Sequence, residues 1–167
     1  MNKDEILGIV DINDQVIGQK NRSEVYAKKM SNFRVINALI VNSKGQLWIP
    51  RRTKHKRIFP LYLDVSVGGH VESGESYEVS FERELKEELN LEITQIKYSV
   101  LGHLTPHENN VSAFQVVYKI EADIAPDFNK DDFLEYFWLT PDELFKRIED
   151  GDKAKDDLPK IVKLFFK

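Results

Sequence analysis

The sequence predicts an α/β or α+β sandwich on three observations. Strand-like and helix-like segments are interleaved along 167 residues, a single helix-length segment sits in mid-chain, and 41% of the residues are hydrophobic. That length and apolar fraction suit one domain, or one domain with a short added arm. Mixed element order is what a sheet covered by helices requires.

The elements can be justified in order. Residues 5–12 (EILGIVDI) read as a strand; Asn13-Asp14 turns the chain into a second short strand over 16–19, which makes a hairpin. Residues 22–30 (RSEVYAKKM) read as helical. Residues 34–42 (RVINALIVN) are β-branched and apolar, and Ser43-Lys44-Gly45 returns them through 46–51 as a second hairpin. A polar loop with a basic cluster spans 52–64, and 65–67 (VSV) form a short strand running into Gly68-Gly69. A helix is expected over 76–89, with strands at 94–104, 111–121 and 133–139. Thr140-Pro141-Asp142-Glu143 is a capping box with proline at the first helical position, so a helix starts there and Gly151 ends it. A last helix is expected over 157–166.

Composition excludes several function classes. The net charge of −4 lacks the global basic character that duplex nucleic acid binding needs, so no nucleic-acid polymer is expected as a partner. There is no cysteine, which removes disulfides, zinc–thiolate sites and a thiol nucleophile. No stretch approaches the ~20 apolar residues of a membrane span. The opening residues show no leader pattern, and a cytoplasmic location is the expectation. Oligomeric state is not legible, and a homodimer stays open.

The chemistry is carried by residues 69–91, GHVESGESYEVSFERELKEELNL. Glu84, Glu87 and Glu88 fall at i, i+3 and i+4 and share one helix face, while Glu75 lies just before the helix. Like charges at these spacings destabilise a helix unless a counter-charge is supplied. Hard oxygen donors suit Mg²⁺ or Mn²⁺ rather than zinc. A solvated acidic face would explain the glutamates alone. It does not explain the spacing G-x5-E-x7-R-E-U-x-E-E-x-G-U, with U a bulky aliphatic residue, which Gly69, Glu75, Arg83, Glu84, Leu85, Glu87, Glu88 and Leu91 satisfy. Its six fixed glycine and polar positions coincide by chance at below roughly 10⁻⁷ per starting position, from average residue usage.

That pattern is the Nudix box, and the chain resembles the Nudix superfamily. The resemblance implies a Nudix α/β/α sandwich with a mixed central sheet. The chain would divide into an N-terminal hairpin and helix arm over 1–30 and a Nudix hydrolase domain over 31–167. One position departs: the final glycine of the pattern is Asn90. Asparagine is the residue that, after glycine, best tolerates the left-handed backbone expected there.

The implied roles follow position by position. Glu84, Glu87 and Glu88 would bind metal, with Glu75 supporting or joining them and the Gly69 carbonyl adding a backbone ligand. Arg83 would pair with Glu75 and orient the loop. Metal-aided hydrolysis of a phosphoanhydride also needs a carboxylate to accept the proton of the attacking water. Glu87 is the candidate inside the box; Glu108 and Glu135 are candidates outside it. Arg51, Arg52, Lys54 and Lys56, with Arg57, precede the box strand and could grip the phosphates of a small diphosphate substrate. Phe59, Tyr62 and Trp48 could stack on a base, or be core or pocket wall.

Residues 10–26 and 33–76 also look like the isopentenyl-diphosphate-isomerase-like branch, which raises isomerisation as a rival reaction. The isomerases use a cysteine where this chain has Gly68, and their metal-ligating histidine matches His70. Phe33-Arg34 stands where those enzymes often have a His-Arg pair. The missing cysteine and the intact box favour hydrolysis. A catalytically idle Nudix-fold binding module is the third reading, and the four retained carboxylates argue against it.

Overall fold

The computed structural model describes residues 4–167. The arm comes first: β1 (Ile6–Val10) and β2 (Val16–Asn21) form an antiparallel hairpin, and α1 (Arg22–Ala27) follows. The expected helix over 22–30 is shorter because the chain closes it at Lys29, whose φ is 51°. The Met30 N–H bonds the Val25 carbonyl and the Lys29 N–H bonds the Tyr26 carbonyl, the two bonds of a Schellman termination.

The central sheet is mixed. It contains β3 (Arg34–Val41), β4 (Leu47–Arg52), β5 (Val67–His70), β6 (Lys97–Leu104), β7 (Phe114–Glu121) and β8 (Phe133–Leu139). The order runs β6-β7-β3-β4-β8, with β5 also paired to β3. Among the described strands of this sheet only β3 and β7 run parallel. The long helix α2 (Tyr77–Leu89) covers one face. Between β6 and β7 lies the single turn α3 (Pro106–Asn109); α4 (Pro141–Glu149) and α5 (Asp157–Phe165) cover the other face.

Strand alternation builds two cores. Ile36, Ala38 and Ile40 of β3 pack toward Phe81, Leu85 and Leu89 of α2, with Tyr118 of β7. Leu39 points the other way, toward Leu144 of α4 and Leu158, Ile161 and Val162 of α5. This is the α/β/α sandwich with mixed sheet and N-terminal hairpin that the sequence implied. The arm adds a third cluster, in which Leu7, Ile9 and Val25 pack on Phe33 and Ala113 of the body. Asp14, in the hairpin turn, is clamped by Arg34, Tyr77 and His103.

Several boundaries move for identifiable reasons. The strand expected at 65–67 begins at Val67, because the Ser66 hydroxyl takes the place of ladder bonds: it donates to the Trp48 carbonyl and accepts the Ile40 N–H. The strand expected from 94 starts at Lys97, after a 3₁₀ turn over Ile93–Gln95. The one expected from 111 starts at Phe114. The Thr140–Glu143 capping box is present, and Gly151 leaves α4 with a φ of 106°. Among the described residues no helix is long and apolar enough to cross a membrane.

Candidate active site

The site is positioned by α2 crossing β5. Ser76 caps α2 by accepting the Val79 N–H at 3.1 Å. At the other end Asn90 has a φ of 55°, the left-handed backbone expected there, and its side-chain amide donates to the Asp127 carbonyl. The helix is therefore fixed at both ends, with Glu84 turned toward Gly69 and Glu88 toward Gly68.

Arg83 is the hub of the loop before the helix. Its Nε and Nη2 donate to the two oxygens of Glu75 at 2.8 and 2.9 Å, and Nη2 also donates to the His70 carbonyl at 3.0 Å. Its Nη1 reaches Glu84 at 2.8 Å and Glu87 at 3.3 Å. Glu75 accepts the Glu72 N–H as well. Burial works against the Glu75 charge, and the Arg83 fork outweighs it, holding Glu75 below the usual carboxylate range. Both Glu75 oxygens are thus committed to protein donors, and its place in this structure is that of a clamp on Arg83.

Glu84 and Glu88 are in the opposite condition. They are 8% and 9% exposed. Glu88 accepts the Gly68 N–H at 2.9 Å. Burial, and then the charge of Glu84, push the Glu88 carboxyl well above its ordinary range. Burial likewise pushes Glu84 up to about 8, against the attraction of Arg83. Gly69 lies directly over Glu84: a Cβ at position 69 would fall 2.1 Å from the Glu84 carboxyl carbon. Glu87 is the exposed member of the set. Among the described residues no three acidic or histidine side chains gather closely enough to hold an ion unaided.

These groups open onto one cleft of about 1110 Å³ between the arm and the body. Gly69, Arg83, Glu84, Glu87 and Glu88 line it, while Glu75 sits behind Arg83. The basic cluster divides. Arg52 and Lys56 line the cleft, held by Asp64 at 2.9 Å and Asp132 at 2.6 Å. Arg51 and Lys54 do not. Arg51 is spent elsewhere: its guanidinium donates to Glu135, to both Asp152 oxygens and to the Leu61 carbonyl. Neither Glu135 nor Glu108 reaches the cleft wall. Of the aromatics, Phe59 lines it, Tyr62 packs on Phe59, and Trp48 is core.

The structure adds residues that sequence reasoning missed. Arg22 and Tyr26 of α1, with Glu5, form the arm's side of the cleft. The Tyr26 hydroxyl lies 2.7 Å from His70 Nε2, and Glu5 lies 3.5 Å from His70 Nδ1, so both ring nitrogens of His70 face protein groups. Asn37 and Asp157 line the cleft from β3 and α5. No local motif marks any of these positions.

A family model described as the NUDIX domain matches residues 31–160. An uncharacterized Nudix hydrolase from Nostoc sp. is 57% identical over 162 residues, covering 97% of this chain and 96% of its own. A Nudix hydrolase from Deinococcus radiodurans is 44% identical and covers 98% of this chain and 95% of its own. The crystal structure of DR0079 from Deinococcus radiodurans superposes with a TM-score of 0.93 at 44% identity, covering 98% of this chain and all of that one. The E. coli dihydroneopterin triphosphate pyrophosphohydrolase shares the fold, with a TM-score of 0.57 at 17% identity over 80% of this chain and 94% of its own.

Proposed function

The chain belongs to the Nudix family and is a pyrophosphohydrolase, and on that premise we propose that it cleaves the phosphoanhydride bond of a nucleoside-diphosphate-type or other small diphosphate substrate, using Mg²⁺ or Mn²⁺ at Glu84, Glu87 and Glu88. The observation that carries this reading is the Glu84–Glu88 pair. Two nearly buried carboxylates, each pushed toward its neutral form, face one cleft with only the Arg83 fork and the Gly68 N–H to offset them. A buried carboxylate without a matching charge is costly. A hard divalent cation fits that deficit, and the close approach of the Glu84 carboxyl to the Gly69 backbone, which any Cβ at 69 would block, supports the Gly69 carbonyl as a further donor. Water and substrate phosphate would complete the shell, in keeping with the absence of a closed protein cage among the described residues.

A cation held by Glu84, Glu87 and Glu88 would supply charge neutralisation and would acidify a water for in-line attack on phosphorus. The residues do the rest. Arg83 and Glu75 fix the loop that carries Gly69. Glu87, exposed beside Glu84, would accept the proton of the attacking water. Arg52 and Lys56 can turn from Asp64 and Asp132 to phosphate oxygens, since a substrate carries more charge than either carboxylate. In the same proposal the enzyme works in the cytoplasm on free small molecules.

Isomerisation gains nothing from the geometry. A Cβ at position 68, where the isomerases carry cysteine, would stand 3.0 Å from Asn37 Oδ1 and 3.0 Å from Val65 Cγ2. The deciding experiment is a product screen over a diphosphate library with Mg²⁺ and Mn²⁺, run on wild type and Glu88→Gln. Turnover in wild type with a kcat loss of at least ~10²-fold in the variant is expected for a group that holds the metal. Near wild-type turnover by Glu88→Gln would sink the assignment. Conversion of isopentenyl to dimethylallyl diphosphate would overturn hydrolysis as the reaction.

A further inference from the structure

A buried carboxylate in the cleft wall is shared by two cations from distant segments, one at each oxygen. Asp64 is 5% exposed and lines the cleft. Its Oδ2 accepts from Arg52 Nη1 at 2.9 Å. Its Oδ1 accepts the Val65 N–H at 2.7 Å and faces Lys155 Nζ at 3.7 Å. The backbone places that lysine. The Leu63 N–H bonds the Lys153 carbonyl at 2.8 Å, and the Lys155 N–H bonds the Leu63 carbonyl at 3.0 Å, so the segment after α4 runs alongside Leu63. Lys155 also lines the cleft.

The two cations are not equivalent. Arg52 makes a charge-assisted hydrogen bond to Asp64, while its Nε and Nη2 donate to the Ile58 carbonyl at 3.2 and 3.0 Å. The Lys155 ammonium stands roughly 1 Å beyond the length of such a bond, and it donates to no protein acceptor among the described residues. One carboxylate thus has two counter-charges, and the second is idle while Arg52 is in place. That changes when Arg52 Nη1 turns to a phosphate. Asp64 would keep only the neutral Val65 N–H, and a buried carboxylate stripped of its charged partner is strongly destabilised. Its charge also helps to push the Glu88 carboxyl up, so a bare Asp64 would act against the metal site as well. A flexible lysine stem can close the remaining distance.

We infer that Lys155 is a positioning residue for substrate binding, which takes over Asp64 as Arg52 Nη1 passes from that carboxylate to a phosphate oxygen. The inference rests on the hydrolase reading of the same cleft, with Arg52 as a phosphate ligand. It brings the segment after α4 into recognition of the diphosphate.

The test separates this exchange from simple support of the fold. Binding of methylenediphosphonate, a diphosphate that cannot be hydrolysed, is measured by calorimetry with Mg²⁺. KM and kcat are measured on the diphosphate that turns over fastest in the screen. Lys155→Met keeps the stem and removes the charge. It should weaken diphosphonate binding and raise KM by at least ~10-fold, with kcat changed by less than ~3-fold. Lys155→Arg should restore most of the affinity. In an Asp64→Asn background no carboxylate is left to take over, so Lys155→Met should have less than a ~2-fold further effect; in an Arg52→Ala background it should have equally little. A full loss that persists beside Asp64→Asn would place Lys155 on the phosphate itself and overturn the inference. Wild-type affinity and KM in Lys155→Met overturn it too, as does a fall in kcat at unchanged KM, or a lower melting temperature with binding unchanged. Binding that follows this pattern without turnover of any diphosphate upholds the exchange and removes the hydrolase reading. Turnover with losses that simply add does the reverse.

Discussion

Replacing Glu84 with glutamine should make the metal-free protein more stable and the enzyme far slower. Glu84 is 8% exposed, and burial pushes its carboxyl from the ordinary value of 4.5 up to about 8. The folded state therefore holds a proton that the unfolded state has released, so stability is greatest below 4.5 and is lost as pH rises toward 8. At pH 7 the mismatch spans two and a half units, a cost of about 3 kcal/mol to the metal-free fold. Glutamine keeps the volume and an acceptor for Arg83 while removing the charge. The gain in a protein of this size is roughly 6–12 °C in melting temperature. At pH 5 the gain should shrink to under about 1 kcal/mol. The assay is thermal unfolding of wild type and Glu84→Gln in EDTA at both pH values, alongside kcat with Mg²⁺, which should fall at least ~10²-fold. A variant that melts lower than wild type in EDTA at pH 7, or that gains equally at pH 5, would refute the reasoning.

Other expectations follow from the same geometry. Gly69→Ala must displace the Glu84 carboxyl, since its Cβ would fall 2.1 Å from the carboxyl carbon; a Mn²⁺ titration should show weaker binding, and kcat should drop at least ~10-fold. Gly18→Ala, with nothing within 4 Å of the new Cβ, is the silent control. Arg51→Ala should destabilise by about 1–3 kcal/mol, because it removes the fork on Asp152 and leaves that carboxylate to Arg147 alone, with little change in KM. Arg52→Ala and Lys56→Ala should instead raise KM; the reverse pattern in denaturant melts and kinetics would return Arg51 to the substrate. Finally, a metal must displace the proton that burial holds on Glu84. The Mg²⁺ concentration for half-activation should therefore fall as pH rises from about 6 to 8, and a pH-independent value would count against Glu84 as a ligand.

The box and its helix were legible because their signal is local. Three glutamates on one helical face, Arg83 one residue before Glu84, and Ser76 and Asn90 at the ends are all read within fifteen residues. The tolerance of Asn90 for a left-handed backbone could be argued from its side chain alone. The basic cluster was legible only as composition. Adjacent residues Arg51 and Arg52 look alike in sequence, yet one is bound to Asp152, a hundred residues later, and the other faces the cleft. The shortened first helix and the late start of β5 depended on one left-handed residue and one serine hydroxyl, whose effects no periodicity records.

By itself, then, the sequence determined the layered α/β architecture, the helix that carries the box and the chemistry that clustered carboxylates require. Helical spacing and strand alternation are short-range rules that every chain obeys in the same way. Only the tertiary structure decided which charges are buried without partners and which are already neutralised. It spent Arg51 on Asp152, left Glu84 and Glu88 short of positive charge, and locked Asn37 through Gln115 to Asp157. Those outcomes turn on contacts between residues up to a hundred positions apart, where desolvation and hydrogen-bond direction are fixed by packing rather than by neighbours in the chain.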